Sequence, residues 1–167
     1  VNAYVRDGFL PETVLGRAGR RETDDRLPAI VAAIKGADPD ITLPGDPYPG
    51  YHAMAVTACM GHGDAKIVAE LPAAFDPSKI LFVGLRNWER GEIKARQHQY
   101  GIKHLTPEEV AADSDALRAW LKSCGASKVV VHFDMDVLDP AEIVAAVGTD
   151  PDGMKIEAVI RVINDIE

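Results

Sequence analysis

The sequence predicts an α/β fold with a central, mainly parallel sheet, and two apolar segments carry this prediction. Residues 129–131 are three consecutive valines, as expected of a strand that is buried on both faces. Residues 79–86 form a second apolar segment, which Asp76-Pro77 introduces. Segments with helical patterns lie between the two, and strands that alternate with helices are typical of parallel sheets covered by helices.

Composition limits the class of protein. The chain has 167 residues, the size of one domain, and 47% of them are hydrophobic, which is enough to fill a core. Its net charge of −8 argues against nucleic acid and anionic membranes as partners. No apolar run in this sequence is long enough to span a membrane, and we expect no signal peptide. Cys59 and Cys124 lack metal-ligand spacing, so we expect reduced thiols and a cytoplasmic location.

The first part of the chain carries the weakest signals. Residues 1–26 alternate arginines with acids and predict a poorly defined N-terminal arm, ahead of a domain that spans 27–167. Residues 27–34 are apolar and predict a short strand despite Pro28. The next polar segment, residues 36–46, contains Asp-Pro and Pro-Gly pairs that are typical of turns.

A buried helix is predicted around residues 53–60, which are apolar on nearly all sides and are followed by Gly61. His52 stands at the start of this helix, where the positive end of the helix dipole favours a neutral imidazole that can transfer protons. A histidine at such a position is more often a cap or a packing residue. The residues alone leave both roles open.

Acidic residues follow the second strand segment. Glu89 and Glu92 precede or begin a helix that is predicted to run to Tyr100 and to end at Gly101. Acids in a first helical turn are stabilised by the dipole, so they are candidates either for that role or for binding a cationic group.

Further elements are interpreted as scaffold. Residues 102–105 predict a brief strand, and residues 106–109 form a capping box that predicts the start of a helix. A helix that begins near Ser114 and stops at Gly125 is expected to point Leu117, Trp120 and Leu121 inward. Residues 155–166 predict the last helix, with one apolar face made of Ile156, Val159, Ile160 and Ile163.

Two aspartates follow the predicted strand of valines 129–131 within five residues. In an extended chain alternate side chains share a face, which would place His132, Asp134 and Asp136 on one side. Two carboxylates about 7 Å apart repel each other unless a cation lies between them. Ligands of open α/β sheets gather beyond the carboxyl ends of strands, and carboxylates suit Mg, Ca or Mn. A D-x-D motif can equally hold a turn, as Asp139-Pro140 suggests. Spacing alone leaves both possibilities open.

Residues 132–140, HFDMDVLDP, resemble the S-x-D-x-D-x-x-D-P signature of the arginase/agmatinase/formimidoylglutamase (ureohydrolase) family. The first residue differs, because His132 stands where many relatives have serine. Residues 52–56 are similar to the H-G/A-M-x-x-A helix start of the family, and residues 83–92 to its V-G-x-R-x-x-x-x-x-E stretch. The resemblance implies an arginase-like three-layer α/β/α fold.

The resemblance also assigns roles to the candidate residues. It implies that Asp134 and Asp136 bind a pair of Mn ions, that His52 is the proton shuttle, and that Glu89 and Glu92 line the substrate mouth. In the family, water attacks the guanidinium carbon, and the resulting tetrahedral intermediate collapses to urea and an amine.

A further stretch, residues 36–40, resembles an altered copy of the D-A-H-x-D metal motif of the family. Asp40 matches its last metal-binding aspartate, Asp38 stands in place of the histidine, and Gly36 in place of a bridging aspartate. A rival alignment treats Val1-Asn2 as the residues just after a lost copy. The G-G-D-H motif and the glutamate of the final strand are absent from this sequence, so we expect an incomplete fold and an incomplete ligand set.

The resemblance implies a Mn-dependent hydrolase that cleaves a guanidino or amidino C–N bond of a small cationic substrate and releases urea. It also implies a homo-oligomer, and the missing motifs imply weak or no activity of this chain alone. Two alternatives stay open. One is a non-catalytic remnant of the family that acts through subunit contacts, and the other is a hydrolase of formimino or amide substrates.

Overall fold

The computed structural model describes residues 29–31, 39–48, 50–126, 128–144 and 149–166. These residues belong to two compact units, one made of 40–76 and the other of 29–31, 39 and 77–166. The predicted arm, residues 1–26, lies outside the described residues. The assignment of 27–167 to one domain stays a prediction.

Short parallel strands organise the second unit: Ala29–Val31 (β1), Leu81–Val83 (β2), Lys103–Leu105 (β3) and Val129–Val131 (β4). β1 pairs in parallel with β4, with Ile30 opposite Val130. β2 pairs in parallel with β3, with Phe82 opposite His104. All four strands lie within segments that the sequence predicted as extended. Among the described residues the strands thus form two two-stranded parallel sheets, and the parallel pairing of the predicted α/β fold is confirmed.

Helices follow three of these strands or their connecting turns. Among the described residues of the second unit they span Gly91–Tyr100 (α3), Asp115–Cys124 (α4) and Ile156–Asn164 (α5). The predicted ends of α3 and α4 are confirmed, because each is followed by a glycine with φ of 70° or 63°. A left-handed residue of this kind closes a helix, and glycine adopts it without steric cost.

The core of the second unit lies between the strands and two of these helices. It contains Leu81, Val83, Val110, Leu117, Trp120, Val137, Leu138, Met154, Ala158, Val159 and Val162. Leu121 is half-buried and packs against this cluster, so the predicted inward face of α4 is confirmed.

The predicted face of α5 is wrong. Ala158, Val159 and Val162 are buried, whereas Ile156, Ile160 and Ile163 are 40%, 55% and 40% exposed. Of the predicted face only Val159 points into the core. The helix is apolar on two sides, so a period of 3.6 residues does not identify the side that packs.

The capping box forms, but no helix follows it. Oε2 of Glu109 accepts from the amide of Thr106 at 2.7 Å, and Oγ1 of Thr106 accepts from the amide of Glu109 at 3.4 Å. Residues 107–111 nevertheless form a series of turns. Reciprocal hydrogen bonds of this kind satisfy the first amides of a helix, but they do not by themselves extend it.

One glycine allows β2 to approach the turn after β4. Gly84 has φ of 84°, and a Cβ atom built on it would overlap Cγ2 of Val137 and lie 2.8 Å from Sδ of Met154. Its amide donates to the carbonyl oxygen of Leu105 at 2.7 Å. Position 84 therefore needs a residue without a side chain.

The first unit is built around two short helices, Ala55–Cys59 (α1) and Ala65–Glu70 (α2). A 3-10 turn, Tyr51–Met54, leads into α1. The hydroxyl of Thr57 donates to the carbonyl of Thr42 at 2.7 Å, and the hydroxyl of Thr42 donates to that of Ala53 at 2.8 Å. The buried apolar residues are Ile41, Ala53, Met54, Val56, Met60 and Phe75.

No helix within the described ranges is long and apolar enough to cross a membrane. Cys59 and Cys124 are both free and half-buried. Burial raises the pKa of the Cys59 thiol, so this side chain stays protonated at neutral pH.

Candidate functional site

The chain turns sharply beyond β4, and this turn carries the two predicted metal ligands. Asp134 is still extended, but Met135–Val137 forms a 3-10 turn that Asp134 caps, since its Oδ1 accepts from the amide of Asp136 at 3.3 Å. Both carboxylates are half-buried. The alternation expected of a strand therefore ends at Asp134 and does not set the direction of the Asp136 side chain.

Arg86 connects the end of β2 with this turn. Its guanidinium donates to four main-chain carbonyl oxygens: Asp136 at 3.0 Å, Val137 at 3.4 Å, Asp150 at 2.8 Å and Pro151 at 2.9 Å. One half-buried side chain at the end of β2 thus holds two segments that follow β4, residues 136–137 and residues 150–151. Arg86 is not among the site residues that the sequence predicts, although a single arginine shortly after a buried strand is a signal that could have found it.

The turn after β4 is tied to the start of α5 by an ion pair. Nζ of Lys155 lies 2.7 Å from Oδ2 of Asp139, whose Oδ1 accepts from the amide of Ala141 at 2.9 Å. The ammonium of Lys155 and then the amide of Ala141 lower the pKa of the Asp139 carboxyl. The interpretation of Asp139-Pro140 as a turn is therefore confirmed.

The two predicted substrate-binding acids lie in different surroundings. Glu89 is exposed and has φ of 51°, and its amide donates to Oδ1 of Asn87 at 2.9 Å. Oε1 of Glu92 lies 3.3 Å from Nε of Arg90, so this carboxylate is already paired with a cation. Of the two, Glu89 is the better placed to receive a cationic group from solution.

His52 lies in the first unit, in the 3-10 turn that precedes α1, and it is exposed. Its Nε2 is 3.1 Å from the hydroxyl of Tyr48, and the two rings meet edge to face with centroids 5.4 Å apart. A Cβ atom on Gly50 would lie 2.8 Å from Tyr48 and 2.9 Å from His52. The absence of a side chain at Gly50 therefore allows the two rings to meet.

The altered D-A-H-x-D stretch is described only at its end. Asp38 lies outside the described residues. Asp40 is half-buried with φ of 43°, and its carbonyl oxygen accepts from the amide of Val56 at 3.3 Å. Asp40 and His52 belong to one unit, and Asp134 and Asp136 to the other. A shared cleft for these residues stays a prediction.

The donor set of the described residues does not fit a complete metal centre. Within 29–31, 39–48, 50–126, 128–144 and 149–166, no three His, Cys, Asp or Glu side chains are grouped so that they could hold a metal ion. Asp134 and Asp136 offer oxygen ligands of the type that Mn accepts, but two carboxylates are fewer than the ligands of a binuclear centre.

Comparison with known proteins identifies the family. A profile of the Arginase family matches residues 39–167, more than half of the chain. The chain belongs to the arginase family. The recognition made from residues 132–140 is thereby confirmed. An arginase of Entamoeba histolytica is 29% identical to this chain over 126 residues, which cover 72% of this chain and 42% of that enzyme.

Solved arginases share the fold. The structure of Entamoeba histolytica arginase in complex with L-ornithine superposes with a TM-score of 0.71 at 20% identity, covering 89% of this chain and 49% of that one. Arginase from Bacillus caldovelox gives 0.67 at 22% identity, covering 87% and 48%. Proclavaminate amidino hydrolase from Streptomyces clavuligerus gives 0.60 at 22%, covering 82% and 42%. The chain thus spans about half the length of the relatives it matches.

Proposed function

We propose that this arginase-family chain carries part of a hydrolytic site for a guanidino or amidino C–N bond of a small cationic substrate. The observation that carries the proposal is the capped turn after β4, in which Asp134 and Asp136 follow a parallel strand at the position where α/β folds bind ligands. Arg86 supports it, because its bonds to the carbonyls of residues 136 and 137 fix the path of that turn.

The reaction adds water to the guanidinium carbon and breaks the bond from that carbon to the substituted nitrogen, which yields urea and a protonated amine. We assign His52 the transfer of the proton to the leaving nitrogen. The exposed carboxylate of Glu89, with Glu92 as the second acid, attracts the cationic substrate. No step is assigned to a metal, because the described residues do not complete a ligand set.

We attribute manganese binding to Asp134 and Asp136, assisted by Asp40 and Asp38. Thermal melts in chelator and in millimolar Mn test this assignment. If the dissociation constant is about a hundredth of the Mn concentration, Mn stabilises the native protein by about 2.7 kcal/mol. For a chain of this size that corresponds to a rise of about 5–10 °C in Tm.

The double change Asp134→Asn and Asp136→Asn should abolish this rise. The matched control is Asp113→Asn with Asp115→Asn, an exposed pair with the same spacing in the same unit. The control should keep the full Mn-dependent rise, even if losing the ion pair in which Arg118 donates to Asp115 lowers the starting Tm slightly. A rise retained by the Asp134/Asp136 variant would remove these residues from the metal site.

Urea release from arginine and agmatine with added Mn tests the activity itself. We expect turnover far below the enzyme median of about 10 per second, because the ligand set is incomplete. Turnover near that median would refute the expectation. Product release from a formimino substrate instead of urea would favour the amide or formimino alternative.

The second candidate is a non-catalytic family member that acts through subunit contacts. The exposed isoleucines of α5 favour it, since contiguous apolar surface is characteristic of interaction sites. No Mn-dependent rise together with no turnover on any of these substrates would select this candidate.

A further inference from the structure

A chain of hydrogen-bonded side chains lies behind the loop that carries Glu89. The indole Nε1 of Trp88 donates to Oε1 of Gln97. The amide nitrogen of Gln97 donates to the carbonyl oxygen of Ile102 at 3.1 Å and lies 3.1 Å from Nδ1 of His104. Gln97 is only 4% exposed, so water does not readily replace these bonds.

These partners determine the protonation state of His104. An indole N–H can only donate and a main-chain carbonyl can only accept, so Oε1 of Gln97 must face Trp88 and Nε2 must face Ile102. The second hydrogen on Nε2 of Gln97 then points to Nδ1 of His104, so Nδ1 has to accept it. The network is complete only when His104 is neutral and carries its hydrogen on Nε2.

Ring contacts join the same groups. The rings of Trp88 and His104 meet edge to face, with centroids 5.2 Å apart, and Nζ of Lys94 lies 4.5 Å from the centroid of the indole. The titratable groups that face His104 are Lys94 and His98 of α3 and Glu109 of the turn after β3. Burial is the largest cause and lowers the pKa of His104; Glu109 opposes it, and Lys94 and His98 lower the pKa further.

We propose that Trp88, Gln97 and His104 form a positioning network for the loop of residues 87–90, and that protonation of His104 releases this loop. Protonated His104 would direct an N–H at the amide nitrogen of Gln97. Two N–H groups would then face each other. This repulsion is removed either if His104 turns away from Trp88 or if the Gln97 amide reverses and loses its bonds to Trp88 and Ile102.

Movement of Trp88 reaches Glu89 through the main chain. The amide of Glu89 donates to Oδ1 of Asn87 at 2.9 Å, and the amide of Arg90 donates to the carbonyl of Trp88. Trp88 therefore lies inside a tight turn of which Glu89 is the exposed member. The consequence for substrate binding rests on the proposed function of Glu89, whereas the network itself does not.

Fluorescence measures the release directly. Trp88 and Trp120 are the two tryptophans of the chain, so the difference between wild-type emission and that of Trp88→Phe isolates the Trp88 signal. We expect this signal to change between pH 8 and pH 5, with a midpoint below about 6.5, the ordinary value for histidine. His104→Gln should lose the transition, because glutamine is neutral throughout this range.

His98→Gln is the matched control, since His98 is the exposed neighbour of Gln97 on α3. It should keep the transition, because the side chain of His98 takes no part in the hydrogen bonds that join Trp88, Gln97 and His104. A wild-type protein without a transition, or an unchanged transition in His104→Gln, would overturn the proposal.

Amide resonances provide the second measurement. In wild-type protein the amides of residues 88–90 should titrate with the same midpoint as the His104 ring, and in Gln97→Leu they should not. Loop amides that ignore the His104 titration would refute the positioning role. Neither measurement requires turnover, so failure of the proposed hydrolase function and failure of the network are distinguishable.

Discussion

Replacing Gly84 by alanine should destabilise the chain by two separate costs. The residue has φ of 84°, where a side chain costs about 1–2 kcal/mol in backbone strain. The added Cβ would also meet Val137 and Met154, the latter at 2.8 Å, and overpacking of a core costs about 1–3 kcal/mol. The sum is about 2–5 kcal/mol, a large share of the 5–15 kcal/mol that stabilises a typical domain.

Gly101→Ala separates the two costs. Gly101 has φ of 70°, but a Cβ there would meet nothing within 4 Å, so this change adds backbone strain alone. Urea unfolding followed by circular dichroism should place Gly84→Ala about 1–3 kcal/mol below Gly101→Ala. Equal losses in the two variants would show that the close approach between β2 and the turn after β4 is not tight, and would refute the packing argument.

Two further predictions concern side-chain pairs. Tyr48→Phe should change the tautomer ratio of the His52 ring in nitrogen NMR spectra, because it removes the hydroxyl next to Nε2, and an unchanged ratio would contradict the hydrogen bond. The free energy of unfolding should stay within about 0.5 kcal/mol of the wild-type value, because both side chains are exposed. Because Lys155 lowers the pKa of Asp139, their contribution to stability is present above the unfolded value of about 3.9 and is lost as the pH falls through the native one. Asp139→Asn should therefore flatten the pH dependence of unfolding below about pH 4 in urea titrations, and an unaltered slope would argue against it.

Local signals predicted the fold best. The helix ends at Gly101 and Gly125 each depend on one residue, and the strand Val129–Val131 depends on three neighbouring valines. These features are therefore encoded by residues that are adjacent in the sequence. The buried face of α5 depends on what lies opposite it. Ile160 and Val162 are equally apolar, and only the position of the core decides that Val162 is the buried one.

The candidate site was predicted in part. The two aspartates follow the parallel strand as expected, but Asp136 lies within a 3-10 turn that begins with the cap at Asp134, so strand alternation does not set its direction. The network of Trp88, Gln97 and His104 joins residues up to 16 positions apart, and no periodic pattern marks it.

Arg86 has a consequence for how the sequence of this region can diverge. All four of its partners are main-chain carbonyl oxygens, which every amino acid possesses. The side chains of the two loops can therefore be exchanged without loss of the link that holds the loops in place. Only the arginine itself is fixed, since lysine has three donors at one point and cannot reproduce the planar array of five. Variation of the loop side chains and constancy of the framework therefore depend on different atoms of the same chain.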